Sequence, residues 1–287
     1  MKKNTNWSAH VQGVMTLYLS RRLRFDDRFF RQYRKIFGLD EGTPLRMLEV
    51  GCGPGALCEA LRRRYPNAEI HGIDRDSTFI SFARRHIEGV EFAEGDATRL
   101  PFADGSFDVT VSNTVQEHVE PTAFWGEQLR VLKPGGVCIC LSARKGLRCV
   151  APCLEATEEE KEFWSHAPQA EAEFEKYGVC RYPLSEAELA AAMERHGFVN
   201  VTTGYAIADL TPDDPKYPTD LAMAMIEADR QCDLEAALSF APNGADAVCR
   251  IINAKYDERL RLYREGKKQW DTTVCVTMIL RGEKPKA

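Results

Sequence analysis

The chain predicts an α/β fold: a mostly parallel, seven-stranded sheet with helices on both faces, a helical cap ahead of it and a helical insertion between the last two strands. Three observations carry that reading. From Leu45 onward short apolar runs alternate with segments of helical periodicity, the first run ends in a glycine-rich bend that opens a helix, and two β-branched segments flank a long helical stretch near the end.

Taken in order, Val11, Val14, Met15, Tyr18 and Leu19 fall on one helical face, and Phe29, Tyr33 and Ile36 continue on a second segment. Two amphipathic helices therefore form an N-terminal cap over residues 1–40. Their arginines (Arg21, Arg22, Arg24, Arg28, Arg31, Arg34) are interrupted by Asp26 and Asp27 and read as a solvated face. Strands are expected over Arg46–Val50, Glu69–Ile73, Val90–Ala93, Asp108–Ser112 and Val137–Leu141, with helices over Leu57–Tyr65, Asp76–Ile87 and Pro121–Leu132. Pro134-Gly135-Gly136 reads as a turn that aims the fifth strand. A capping box, Ser185-x-x-Glu188, opens a helix that Gly197 closes, and the last strands follow over Val199–Ile207 and Thr272–Leu280, antiparallel to each other. Between them, residues 209–270 begin with a Pro/Asp turn and continue as helices marked by Leu221, Met225 and Ala228, then Val248, Ile252 and Tyr256. The acidic segment Glu155–Lys176, with Phe163, Trp164 and Phe174, is a third accessory piece. This divides the chain into the cap, a binding domain over 41–208 with 271–287, and an insertion or lid over 209–270.

Composition bounds the partners. Lys and Arg total 38 against 43 Asp and Glu, a formal charge of −5, so no general attraction to nucleic acid or anionic lipid is expected. No run approaches the length of a membrane span, and no continuous apolar stretch follows the lysines at the start, which predicts a cytoplasmic protein. The 10 cysteines are dispersed without a Cys-x-x-Cys pair and read as reduced thiols, and no metal site is expected.

The strongest local signal is Met47-Leu48-Glu49-Val50-Gly51-Cys52-Gly53-Pro54-Gly55-Ala56, a strand running through glycines into a helix. Alone, Gly51-x-Gly53-x-x-Ala56 also satisfies the dinucleotide fingerprint. Its partners decide between ligands. Glu49 would repel a diphosphate and attract an ammonium. Asp74, ending the second strand, suits the ribose hydroxyls of NAD or of another adenosine ligand. Asp96, in Glu94-Gly95-Asp96-Ala97, follows the third strand and can accept from an adenine amine while the next N–H meets a ring nitrogen.

Jointly these residues resemble the class I S-adenosylmethionine-dependent methyltransferases, of the small-molecule subgroup that includes the ubiquinone/menaquinone-biosynthesis enzymes. The resemblance covers about residues 45–145. It also takes in Leu100-Pro101-Phe102, Ser106-Phe107-Asp108, Ser112-Asn113-Thr114-Val115-Gln116-Glu117-His118-Val119 and Arg130-Val131-Leu132-Lys133-Pro134-Gly135-Gly136. It implies a Rossmann-like fold, S-adenosylmethionine as cofactor with S-adenosylhomocysteine as product, and in-line methyl transfer to a small-molecule acceptor. The cofactor residues it implies are Glu49, Gly51, Cys52, Gly53, Gly55, Asp74, Arg75, Asp96, Ala97, Asn113, Thr114 and His118; outside its span, Tyr18, Arg21 and Arg22 of the cap are candidates to reach the cofactor's carboxylate, with facing water as the plain reading. His118 is the candidate base or substrate orienter, with a structural histidine as the plain reading, and Glu117 reads equally as solvent-facing. Ser112-Asn113-Thr114-Val115 stands where nucleobase and amide N-methyltransferases carry Asp/Asn-Pro-Pro-aromatic, which disfavours DNA. Two further readings remain open here: a thiolate site for arsenite built on Cys58 with Cys149 or Cys153, and a cofactor-binding regulator without chemistry. The protein is expected to be a monomer or homodimer.

Overall fold

A computed structural model of the chain describes residues 7–167, 175, 177–240 and 244–286. Phe174 and the first lysines lie outside them. The elements run α1 (Trp7–His10), α2 (Val14–Arg24), α3 (Asp27–Phe37), β1 (Arg46–Val50), α4 (Ala56–Arg64), β2 (Glu69–Asp74), α5 (Ser77–His86), β3 (Glu91–Glu94), β4 (Phe107–Asn113), α6 (Pro121–Val131), β5 (Leu132–Cys149), α7 (Glu158–Ser165), α8 (Glu186–Arg195), β6 (Val199–Leu210), α9 (Thr219–Phe240), α10 (Asp246–Arg264) and β7 (Thr272–Glu283).

Among the described residues the strands form one seven-stranded sheet in the order β3-β2-β1-β4-β5-β7-β6. All pairings are parallel except those of β7, which runs antiparallel between β5 and β6. Strand alternation explains why both faces are covered: Met47, Val109, Val111, Ile139 and Leu141 pack on the side of α2 to α5, while Leu48, Val50, Cys138 and Cys140 pack with Phe124, Trp125, Leu189 and Met193 on the other. Cys138 and Cys140 act there as small apolar side chains. A separate core joins α9 and α10 to Phe163 and Trp164.

Local chemistry sets the helix ends. Asp26 caps α3 by accepting from Arg28 N at 3.0 Å, Asp76 caps α5 by accepting from Thr78 N at 2.9 Å, and the Ser185/Glu188 capping box opens α8 as its sequence predicts. Arg130 donates to the carbonyls of Leu100 and Phe102 and pairs with Glu127 and Asp104, pinning the loop before β4.

The fifth strand departs from expectation in two ways. It extends to Cys149 because β7 pairs with it from Val137 to Cys149, so ladder bonding carries it past its buried run. Pro134-Gly135-Gly136 is no separate turn but a bulge within the strand: Phe107 pairs Leu132 while Val109 pairs Val137.

The accessory helices interlock. Glu235 of α9 accepts from Met15 N at 3.2 Å and Thr16 N at 3.0 Å, capping α2 with a carboxylate from the insertion. Gly13, the N-cap of α2, leaves room for that carboxylate: a Cβ there would lie 2.1 Å from Glu235 Oε2 and would push the glutamate tip aside. Glu235→Ala is expected to lower stability by about 0.5–2 kcal/mol and to speed proteolysis of α1 and α2. Urea unfolding with timed digestion measures both, and unchanged digestion would contradict the cap.

The insertion is rooted by a buried ion cluster. Arg259 of α10, fully buried, donates to Asp271 at 2.9 Å and to Asp213 at 2.9 Å, and Asp213 also accepts from Gln269 N and Trp270 N at 2.7 and 2.8 Å. One guanidinium thus ties the turn after β6 to α10 and to the residues entering β7.

Candidate functional site

Where the strand order reverses between β1 and β4, a cleft of about 1250 Å³ opens at the carboxyl ends of the parallel strands. Glu49, Gly51, Cys52, Gly53, Asp74, Arg75, Asp96, Ala97, Asn113, Thr114 and His118 all line it.

The glycine bend shapes its floor. Gly51, Gly53 and Gly55 all have positive φ, a region that excludes most side chains. A Cβ on Gly51 would meet Val115 at 2.5 Å and one on Gly55 would meet Ile87 at 2.6 Å, whereas one on Gly53 would find no protein atom within 4 Å. Gly55 therefore serves close packing of α4, and Gly53 presents bare backbone to the cleft. Gly53 N donates to Asp74 Oδ2 at 2.9 Å, so the N–H that a diphosphate would seek is already taken by a carboxylate.

The acids are spread along the rim. Glu49 is 2% exposed, and its Oε2 is buried without a hydrogen-bond partner. Burial pushes its carboxyl up from 4.5 to about 8. Leaving such an oxygen unmet costs on the order of 1–3 kcal/mol, which a ligand cation would relieve. Asp74 accepts from Gly53 N and, through Oδ1, from Asp76 N at 2.9 Å, and burial raises its pKa. Asp96 accepts from Thr98 N at 2.8 Å, which orients it beside Ala97.

Beyond β4 the chain turns sharply. Thr114 holds φ at 52°, unusual for a β-branched residue, with its N–H bonded to Leu141 O at 2.8 Å. A short 3-10 turn, Gln116–His118, follows. Cys180 N donates to His118 Nδ1 at 2.9 Å, and Tyr182 N donates to Glu117 O at 2.9 Å, so residues 180–182 clamp the turn from outside. Burial, then Arg75, lowers the His118 pKa to about 4. With Nδ1 accepting, the neutral ring carries its hydrogen on Nε2, which makes His118 a donor rather than a base. Glu117 is not solvent-facing: its Oε2 is buried and unpartnered, and the residue lines the cleft.

Residues 48–140 match the family described as a methyltransferase domain. Over that segment the chain is similar to a methyltransferase domain. Among its relatives, the fatty-acid O-methyltransferase of Mycolicibacterium smegmatis is 33% identical over 175 residues, covering 49% of this chain and 62% of that protein. The demethylmenaquinone methyltransferase of Thermus thermophilus is 39% identical over 106 residues, covering 35% and 48%. The matches thus span less than two thirds of those relatives' lengths. The solved structure of phosphoethanolamine N-methyltransferase 2 from Haemonchus contortus, in complex with S-adenosyl-L-methionine, superimposes with a TM-score of 0.55 at 16% identity over 99% of this chain and 60% of that one, a likeness of fold.

The residues present fit S-adenosylmethionine, the ligand of that solved structure: one unmet buried carboxylate oxygen at Glu49 for a cation, bare backbone at Gly53, and acids beyond β2 and β3. Other expected residues sit elsewhere. Gly55 is not on the cleft wall. Tyr18 donates to Glu59 at 3.2 Å and Arg22 lies 3.6 Å from the same carboxylate, so both face α4, while Arg21 lines the cleft. The thiols of the arsenite reading do not converge: Cys58, on the buried face of α4, has its pKa pushed well up by burial, and Cys149 lines a different cavity of about 470 Å³. A trio with metal-ligand spacing among the described residues, Glu69, His71 and Glu91, lies at the opposite end of the sheet, where Arg46 pairs with Glu69. No helix among the described residues is long and apolar enough to cross a membrane.

Proposed function

We propose that the protein is a methyltransferase that moves a methyl group from S-adenosylmethionine to a small-molecule acceptor held in the same cleft. The observation that carries the reading is the buried, unpartnered oxygen of Glu49 at the head of the glycine bend. In this reading Glu49 meets the cofactor's ammonium, the backbone at Gly51 and Gly53 lies against its methionine part, Asp74 takes the ribose hydroxyls, and Asp96 with Ala97 N reads the adenine. Bound there, the cofactor supplies an electrophilic methyl on a sulfonium. The chain's own contribution is to place the acceptor and exclude water, and orientation can contribute about 7–11 kcal/mol to lowering such a barrier. Trp7, Leu17 and Arg21 from the cap and Cys232 and Ala236 from the insertion bound the space left for the acceptor, which suits a small, partly apolar molecule. All ten cysteines are free, which supports a reducing compartment such as the cytosol.

Formation of S-adenosylhomocysteine across a metabolite library tests the activity, and tight cofactor binding with no product would favour a binding regulator instead. Glu49 offers a second test. The unfolded chain ionises it near 4.5 while the folded chain keeps its proton to about 8, so its burial makes stability fall as pH rises between those values. Glu49→Gln is expected to remove that fall, leaving the ligand-free protein on the order of 1–3 kcal/mol more stable at the alkaline end, and to weaken S-adenosylmethionine about tenfold or more. Melting curves against pH with calorimetry decide it; a variant as pH-sensitive as the wild type, or one that binds as tightly, would remove Glu49 from the site.

A further inference from the structure

The acceptor half of the cleft has its own unmet group. The acids assigned to the adenosyl part stand beyond β2 and β3 and Glu49 on β1, so the space past β4, bounded by residues 117–120 and 177–182 and by Cys232 of α9, is left for the acceptor. There Glu117 Oε2 is buried without a partner, while its main chain is fixed by Tyr182 N and its neighbour His118 is held by Cys180 N. We propose that Glu117 is the catalytic base of the reaction and that the acceptor is a neutral oxygen acid, a phenol or enol, whose hydroxyl donates to Glu117 Oε2 while His118 Nε2–H donates to an oxygen beside it. The inference rests on the methyltransferase reading above.

The chemistry of the pair selects the acceptor. A buried carboxylate oxygen lacking a donor accepts a hydrogen and repels an anion, so a carboxylic acid, ionised at neutral pH, is disfavoured. A neutral amine needs no base before attack, and a thiol ionises unaided more readily than a hydroxyl. A phenol or enol is the acceptor that both donates a hydrogen and must lose it. In the step, the hydroxyl proton passes to Glu117, the oxygen's electron pair forms the new oxygen–carbon bond, the sulfur–carbon bond breaks with its pair left on sulfur, and the proton then leaves Glu117 for solvent. Burial raises the Glu117 pKa, against its own backbone N–H, Arg144 of β5 and Arg21 of α2, which hold it toward the charged form; Cys140, Cys180 and neutral His118 complete its titratable surroundings. A raised carboxylate is the stronger base near neutrality.

The test uses the full chain with phenol, catechol and 2-naphthol, and with 2-naphthoic acid and 2-naphthylamine as matched comparators. Wild-type protein should methylate a hydroxyl compound and neither comparator. Glu117→Gln should lower kcat on that compound roughly 10²- to 10⁴-fold with KM changed only a few-fold, abolish the acid limb of its pH profile, and leave S-adenosylhomocysteine affinity within twofold by calorimetry. Calorimetry of 2-naphthol on the S-adenosylhomocysteine complex adds a readout apart from turnover: its affinity should fall at acid pH in the wild type and not in the variant. Glu117→Asp, which keeps the carboxylate, should recover part of the rate. Wild-type turnover by Glu117→Gln, joint loss of S-adenosylhomocysteine binding, methylation of the acid or amine in preference, or no turnover on any hydroxyl compound would overturn the proposal. Wild-type protein that fails to bind S-adenosylhomocysteine would instead overturn the methyltransferase reading.

Discussion

Arg259→Ala is expected to destabilise the protein by about 3–5 kcal/mol, because it leaves two carboxylates in an interior that no longer supplies their counter-charge. Arg259 is fully buried, and its partners Asp213 and Asp271 are 5% and 8% exposed. Asp213 retains its two main-chain donors, Gln269 N and Trp270 N, and Asp271 loses the guanidinium that donates to it, so Asp271 carries most of the penalty. Adding Asp271→Asn and Asp213→Asn to an Arg259→Met background should recover much of the loss, since removing all charges together avoids the unpaired state. Urea unfolding measures each step. A single variant that costs under about 1 kcal/mol would mean that water reaches the cluster and screens it.

Asp74→Ala should weaken S-adenosylmethionine by about 2–4 kcal/mol, roughly thirtyfold to several hundredfold. Two losses add: the proposed bonds to the ribose, and the carboxylate that holds Gly53 N and Asp76 N and so fixes the bend and the chain entering α5. Asp74→Asn keeps an acceptor and should lose less. Calorimetry separates the variants, and equal affinity for wild type and Asp74→Ala would remove the ribose assignment.

Much of this site can be read before any coordinates. The run from Met47 to Ala56 places its own strand, bend and helix, because apolar β residues, glycines and helix formers follow one another there without conflict. The capping box at Ser185 is equally local. What escaped sequence reasoning depends on distant partners. Nothing within Ala143–Cys149 announces a strand, since β7 is what extends β5 through it. Tyr18 and Arg22 sit four residues apart on one face of α2 and meet Glu59 of α4, while Arg21, about 100° further round, turns to the cleft. Glu117 is the clearest omission. An acid between Val115 and Val119, next to a histidine and after the fourth strand, was a usable signal, but the sequence does not show that residues 180–182, far along the chain, pack against this turn.

The placement of β7 between β5 and β6 bears on biosynthesis. Both neighbours leave the ribosome before the strand that joins them, and α9 and α10 intervene as well. Until β7 arrives, the nascent chain carries an open seam with the hydrogen-bonding edges of β5 and β6 unsatisfied, a state prone to pairing with other chains. Chaperone dependence during translation should therefore centre on this seam, and the exposed charge of Lys145 along it is placed to discourage misassembly.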